Sequence, residues 1–193
     1  MLTDLKSALR PALVLTVLFA LLLGLAYPLA LTGIGQLLFP KQANGSLVRD
    51  DDRVIGSELI GQAFAGPRYF HGRPSAAGKG YDASASAGSN LGPTSRVLIE
   101  RVRTDIAALP ASPDSRVPAD LVTASASGLD PHLSPEAALY QVDRVAQARG
   151  VEPAKLRALI AMQTEAPLAG IIGERRVNVL ALNRALDRMP ADR

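Results

Sequence analysis

The chain has 193 residues, with 21 lysines and arginines against 18 acidic groups for a formal charge of +3, no cysteine and 4% aromatic residues. A charge this close to balance, with no basic stripe interleaved with stacking rings, excludes a nucleic-acid-binding surface. The missing cysteines suit an oxidising compartment without requiring one.

The 29 residues from Pro11 to Phe39 carry no charged side chain. A helix rises about 1.5 Å per residue, so about 20 apolar residues cross a hydrocarbon core of roughly 30 Å. Leu13–Leu31 (LVLTVLFALLLGLAYPLAL) supplies that length, interrupted only by Thr16 and Tyr27. A cleaved secretory signal would share the basic start at Lys6 and Arg10, but its apolar stretch is only about 7–15 residues and ends in a small-x-small site. The stretch here is longer and has no such ending, so the sequence predicts an uncleaved anchor. Pro11 is expected in the first helical turn, where its missing N–H costs nothing. Pro28 is expected to kink or end the helix. The LTGIGQLLFP that follows suits the membrane interface or close packing on a partner helix. A lone helix has no lumen, so this chain cannot form a transport path by itself. Lys6, Arg10 and the α-amino group precede the span, whereas Lys41 and Arg49 follow it. That bias places residues 1–10 in the cytoplasm, 11–39 in and at the membrane, and 40–193 outside.

The last 154 residues amount to one ordinary domain with its own core. Leu47–Val48, Val54–Ile55 and Leu59–Ile60 are short strand or turn candidates, punctuated by Asn44-Gly45 and Gly56. Asn44-Gly45-Ser46 matches a glycosylation acceptor, although Asn-Gly also marks a tight turn. Ala76–Gly92 is Ala/Ser/Gly-rich and predicts an irregular surface loop. Leu98, Val102, Ile106 and Leu109 have helical spacing, ended by Pro110. Leu121–Thr123 predicts a short buried strand. Ser134-Pro135 is an N-cap followed by an N1 proline, opening a helix that runs to Gly150. Pro153 opens another, with Leu156, Leu159, Ile160 and Gln163 in phase. Val179, Leu182, Leu186 and Met189 mark a last helix before Pro190. The expected fold class is α+β: a single N-terminal transmembrane helix followed by one small soluble α+β domain.

Candidate chemistry is sparse. Lys79 beside Gly78 suggests a phosphate loop, but five residues separate Gly72 from Gly78 and Gly80 stands where a hydroxyl is needed. His71 and His132 could join Asp82 or Asp130 around a metal, yet no H-x-x-x-H spacing brings them together. Ser125 in TASASG lacks the leading glycine of a nucleophile elbow. Asp50–Asp52 could attract cations or form a solvated turn. DASASAG (82–88) and TASASG (123–128) look alike and each precedes a helix, but their flanks diverge, so they are not a repeat.

GLAYPLA, QANGSL, GSELIGQAF, YFHGRPSA, SAGSNLGP, DLVTASASGLDPHLSPEAALYQVDRVAQAR and VNVLALNRALD, read in that order, resemble the C subunit of the bacterial Kdp potassium-transporting ATPase. The resemblance runs from the anchor to the last helix. It implies a non-catalytic, single-pass accessory subunit of the bacterial inner membrane. Its implied partners are a channel-like potassium-binding subunit, a P-type ATPase subunit, a small membrane peptide and the lipid bilayer. The resemblance also implies a chaperone role that raises the ATP affinity of the ATPase subunit. With the domain outside and no phosphate loop, no residue here is assigned to ATP, and ATP and potassium are handled by the complex. Tyr69, Phe70, His71, Arg73, Ser125, Ser127 and Asp130 are the candidate partner contacts, being polar loops with an aromatic or arginine. The same loops could instead brace the domain's own fold. Two other functions fit the residues alone: an anchored envelope serine hydrolase using Ser125 or Ser127 with a histidine, and a periplasmic binding or assembly factor.

Overall fold

The computed structural model describes residues 2–109 and 116–189, with side chains described from Lys6 onward. The chain divides into two compact units, Met1–Leu47 and Val48–Arg193.

The first unit is helical. Helix α1 (Leu2–Leu21) passes through one π-helical turn (Leu22–Ala26) into α2 (Tyr27–Leu38), and Pro40–Ala43 adds a short α3. Lys6–Leu38 forms one stretch of 33 residues with a mean hydropathy of 2.4, long and apolar enough to cross a membrane. Pro11 behaves differently from expectation, and the helix end expected at Pro28 does not occur. Pro11 lies inside α1, because the helix extends back to Leu2 instead of starting at the proline. Pro28 does not end the helix: it occupies the first turn of α2, directly after the π turn. A proline ring crowds the carbonyl four residues earlier, and the wider π turn, closed by Tyr27 N–H to Leu22 O, falls where that crowding would arise. After α3, Asn44 bonds the Gln36 side chain at 2.9 Å and the Pro40 carbonyl at 2.7 Å, and Gly45 turns the chain at φ 84°. The Asn-Gly pair is thus a turn.

The second unit opens with a hairpin of β1 (Leu47–Asp50) and β2 (Arg53–Ser57). Its turn is Asp51–Asp52, with Asp51 in the left-handed region at φ 48°, so the acidic run is hairpin chemistry. Irregular chain follows to Ser95, including the expected loop over residues 76–92. Then come α4 (Arg96–Ala108), a 3-10 turn (Ala119–Leu121), β3 (His132–Leu133), α5 (Pro135–Tyr140), α6 (Val142–Arg149), α7 (Pro153–Gln163), β4 (Thr164–Glu165), β5 (Arg176–Asn178) and α8 (Val179–Asp187). Pro110 and Pro190 lie outside the described residues.

Capping chemistry sets several of these boundaries. Ser134 Oγ accepts from Ala137 N at 3.3 Å, and Asn178 Oδ1 accepts from Ala181 N at 3.0 Å. Gly150 closes α6 at φ 68°. Two expectations fail. Leu121 and Val122 are buried, but as a 3-10 turn and its exit, not a strand. The helix expected from Ser134 to Gly150 breaks at Gln141, whose N–H bonds Ala138 O in a tightened turn.

An antiparallel sheet of order β3-β5-β4 pairs Leu133 with Val177 and Thr164 with Val177. Strands of two or three residues carry too little alternation to be read from sequence. The main core gathers Phe70, Val142, Val145, Leu156, Ile160, Val177, Leu182 and Leu186. A smaller cluster of Leu121, Leu133, Ala137 and Val179 adjoins the 3-10 turn.

Candidate functional site

The motif YFHGR does not stand out from the domain; it is threaded into it. Residues 67–71 are neither helix nor strand, and beyond the turn bond from Tyr69 N to Gly66 O their backbone groups need other partners. Side chains supply them. Asn183 of α8 accepts from Phe70 N and donates to Phe70 O, both at 2.9 Å. Gln141 does the same for His71, accepting at 2.8 Å and donating at 3.0 Å. Arg144 donates to Pro67 O and Tyr69 O, and Arg149 donates to Arg68 O. Arg149 also pairs with Asp187 at 2.6 Å and lies 4.8 Å over the Tyr69 ring. A buried primary amide is suited to this work, because it offers a donor and an acceptor side by side, as a neighbouring strand would.

This placement corrects one candidate. Phe70 is 0% exposed in the main core, held there by the Asn183 clamp, so it cannot face a partner. Tyr69 and His71 are half-buried. The His71 ring bonds Gly66 O through Nε2 at 3.0 Å. Burial lowers its pKa below the ordinary histidine value, the Gly66 bond opposes that shift, and the Arg144 charge adds to it.

Arg73 continues the strap into a second knot. Its Nη1 lies 3.4 Å from Asp120 and 3.7 Å from Asp130, while Nε and Nη2 donate to Thr123 O and Oγ1. Asp130 in turn accepts from His132 N at 3.0 Å, and its Oδ1 lies 3.2 Å from His132 Nδ1. The His132 hydrogen bond is the main reason the Asp130 carboxyl is held below the usual range; the same backbone bond and the Arg73 charge assist, against burial. Tyr81 donates its hydroxyl to Arg73 O, and burial chiefly, with the Asp130 charge, raises its pKa.

The two look-alike loops meet here. Ala87 N and Ser86 Oγ both donate to Ser127 O at 3.0 Å. Gly128, at φ 67°, lets them approach: a Cβ there would lie 2.5 Å from Ala87 O and 2.7 Å from Ala77 N. Ser125 Oγ and Ser127 Oγ lie 3.4 Å apart and accept from Asp130 N and Leu129 N. These bonds hold the loop; none of them involves a histidine ring. Among the described residues, no three His, Cys, Asp or Glu side chains converge as a metal site.

The Arg73 knot forms one wall of an open cleft of about 410 Å³. Arg73, Asp130 and His132 line it together with Leu168 and Ile172 from the segment joining β4 to β5 and Arg176 at the start of β5. Sequence reasoning found Arg73 and Asp130 but missed Asp120, Gln141, Arg144, Arg149 and Asn183. The readable signal was Asn183 itself, a polar residue at a core-phase position beside Leu182 and Leu186.

The fold and site define a class: a chain with one apolar helix able to span a bilayer, carrying an α+β domain whose buried amides and paired charges brace its own loops. The K+-transporting ATPase, c chain family model matches residues 9–188. The chain is 64% identical over 183 residues to the potassium-transporting ATPase KdpC subunit of Caulobacter vibrioides strain NA1000, covering 94% of this chain and 93% of the relative. The corresponding subunit of Caulobacter sp. strain K31 is 59% identical over 188 residues, covering 96% of each. That of Rhodopseudomonas palustris strain BisB18 is 56% identical over 191 residues, covering 92% of this chain and 96% of the relative. The chain belongs to the family of K+-transporting ATPase c chains. Members of this family are non-catalytic accessory subunits, so the hydrolase reading of Ser125 and Ser127 is set aside.

Proposed function

We propose that the chain assembles and stabilises a high-affinity, ATP-driven potassium uptake complex, and that it raises the ATP affinity of the P-type ATPase subunit from a distance. Residues 1–10 lie in the cytoplasm, 11–39 anchor the chain in the inner membrane, and 40–193 stand outside. The partners are the channel-like potassium-binding subunit, the ATPase subunit and the small membrane peptide. The observation that carries this reading is the family match over residues 9–188, together with a single span that has no lumen of its own.

An outward domain does not meet cytoplasmic ATP. Its effect on nucleotide affinity is a coupling free energy, passed through subunits that prefer one state when this chain is bound. A domain braced by buried amides and paired arginines suits that role, since it holds one shape against its partners. The contact face includes the cleft lined by Arg73 and Asp130, with Ser125 and Ser127 on the adjoining loop and Tyr69 and His71 on the strap.

Complex purified with and without this chain tests the proposal. The expected result is lower recovery and a raised KM for ATP without it, at a similar kcat per assembled complex. Saturable ATP binding by this chain alone would overturn the indirect route. Unchanged recovery and KM would overturn the function.

A further inference from the structure

The three-stranded sheet has two edges, β3 and β4. An unpaired edge strand presents N–H and C=O groups that another strand can bond. At β4, Thr164 N bonds Ala161 O, so the first donor of that strand is taken by the end of α7. At β3 the cover comes from side chains. Val179 N donates to Pro131 O at 2.9 Å, so the antiparallel alternation turns Leu133 toward β5 and the N–H groups of His132 and Ser134 outward. His132 N bonds Asp130 Oδ1 at 3.0 Å, and Ser134 N bonds Asp120 Oδ2 at 2.8 Å. The second oxygen of each carboxylate turns to one shared group. Arg73 Nη1 lies 3.4 Å from Asp120 Oδ1 and 3.7 Å from Asp130 Oδ2.

We propose that Arg73, Asp120 and Asp130 form a clasp that closes the β3 edge and keeps a second copy of this chain from adding a strand there. A carboxylate accepts a backbone N–H more strongly than a neutral carbonyl does, so an incoming strand gains little by displacing it. Arginine suits the bridging position because it stays charged and offers several donors at once. Its Nε and Nη2 hold Thr123, which leaves Nη1 for the two carboxylates. The edge needs this closure because it opens on a cleft of about 410 Å³, which the clasp lines together with His132 and the aliphatic Leu133, Leu168 and Ile172. Those aliphatic side chains would shelter an added strand from water. A second copy is the occupant that the clasp excludes, because it brings the same edge. Paired antiparallel about a two-fold axis, two β3 edges would satisfy each other's outward groups. This role goes beyond the accessory reading and does not depend on it.

The test uses the full chain in detergent, with hydrogen exchange read at the His132 and Ser134 amides and self-association read by sedimentation. Asp120→Ala combined with Asp130→Ala should speed exchange at both amides and raise self-association about tenfold, the effect of one or two net hydrogen bonds. Asp120→Asn combined with Asp130→Asn keeps an accepting oxygen at each amide and should do neither. In the alanine pair, protection of the two amides that returns with rising protein concentration places the contact at β3 and supports the proposal. Association without that protection overturns it. So does an alanine pair that associates no more than the wild type, or an asparagine pair that associates as strongly as the alanine pair. If the alanine pair does not fold, Asp120→Ala alone frees the Ser134 amide, and the same readings decide.

Discussion

Asn183 is 1% exposed and Gln141 3%, yet both are polar. They are tolerated because each satisfies a backbone N–H and C=O of the strap in one stroke. Asn183→Ala leaves two buried backbone groups of Phe70 without partners, at about 1–3 kcal/mol each. The expected loss is about 3 kcal/mol in chemical denaturation, with Asn183→Leu no better despite its larger apolar surface. His71 makes stability depend on pH in a definite direction. Its folded pKa lies below 6.5, so above that value both states are neutral and the contribution is whole. As pH falls below 6.5 the unfolded chain takes a proton first, and stability declines until the folded pKa is passed. Denaturation midpoints measured between pH 7.5 and 5 should fall for the wild type and flatten in His71→Gln. A histidine in a polar stretch gives no sequence signal of this kind. Its backbone is clamped by Gln141, 70 residues away, and its ring lies near the Arg144 charge.

At the level of elements, local chemistry was legible and pairing was not. Ser134-Pro135, Gly150 and Pro153 mark helix ends in the sequence, and the structure ends helices there, because caps and prolines act within one turn. The break at Gln141 was hidden, since Leu139, Val142 and Val145 continue a helical pattern while the break arises from a clamp on distant backbone. The strands β3, β4 and β5 were hidden for the same reason: their partners are tertiary. The loops at 82–88 and 123–128 show this most clearly. Their likeness is visible in the sequence, but only packing reveals that they lie against each other. Gly128 is the hinge of that packing. Gly128→Ala places a methyl against Ala87 O and Ala77 N in a left-handed residue. We expect a loss of about 2–4 kcal/mol, from clash and conformational strain together. A thermal melt of the variant checks it, and Gly80→Ala is the comparison, since its φ is 108° but no atom stands within 4 Å.

For the molecule as a whole, the one span and the cysteine-free chain make topology directly measurable. Ser84→Cys places a single thiol on an exposed loop. A membrane-impermeant maleimide should label it in intact cells whose outer membrane has been permeabilised. Labelling only after lysis would put the domain in the cytoplasm and bring it within reach of ATP. Sequence alone determined the membrane-length apolar helix, the fold class, the family resemblance and the helix ends at Ser134-Pro135, Gly150 and Pro153. Each depends on composition or on neighbours a few residues apart, and hydropathy, capping and proline geometry act at that range. Only the tertiary structure decided that Phe70 is core, that Arg73 is held by Asp120 and Asp130, and that an apolar hairpin projects at Leu168–Ile172. Those outcomes depend on backbone groups meeting side chains from far along the chain, and linear order carries no record of such meetings.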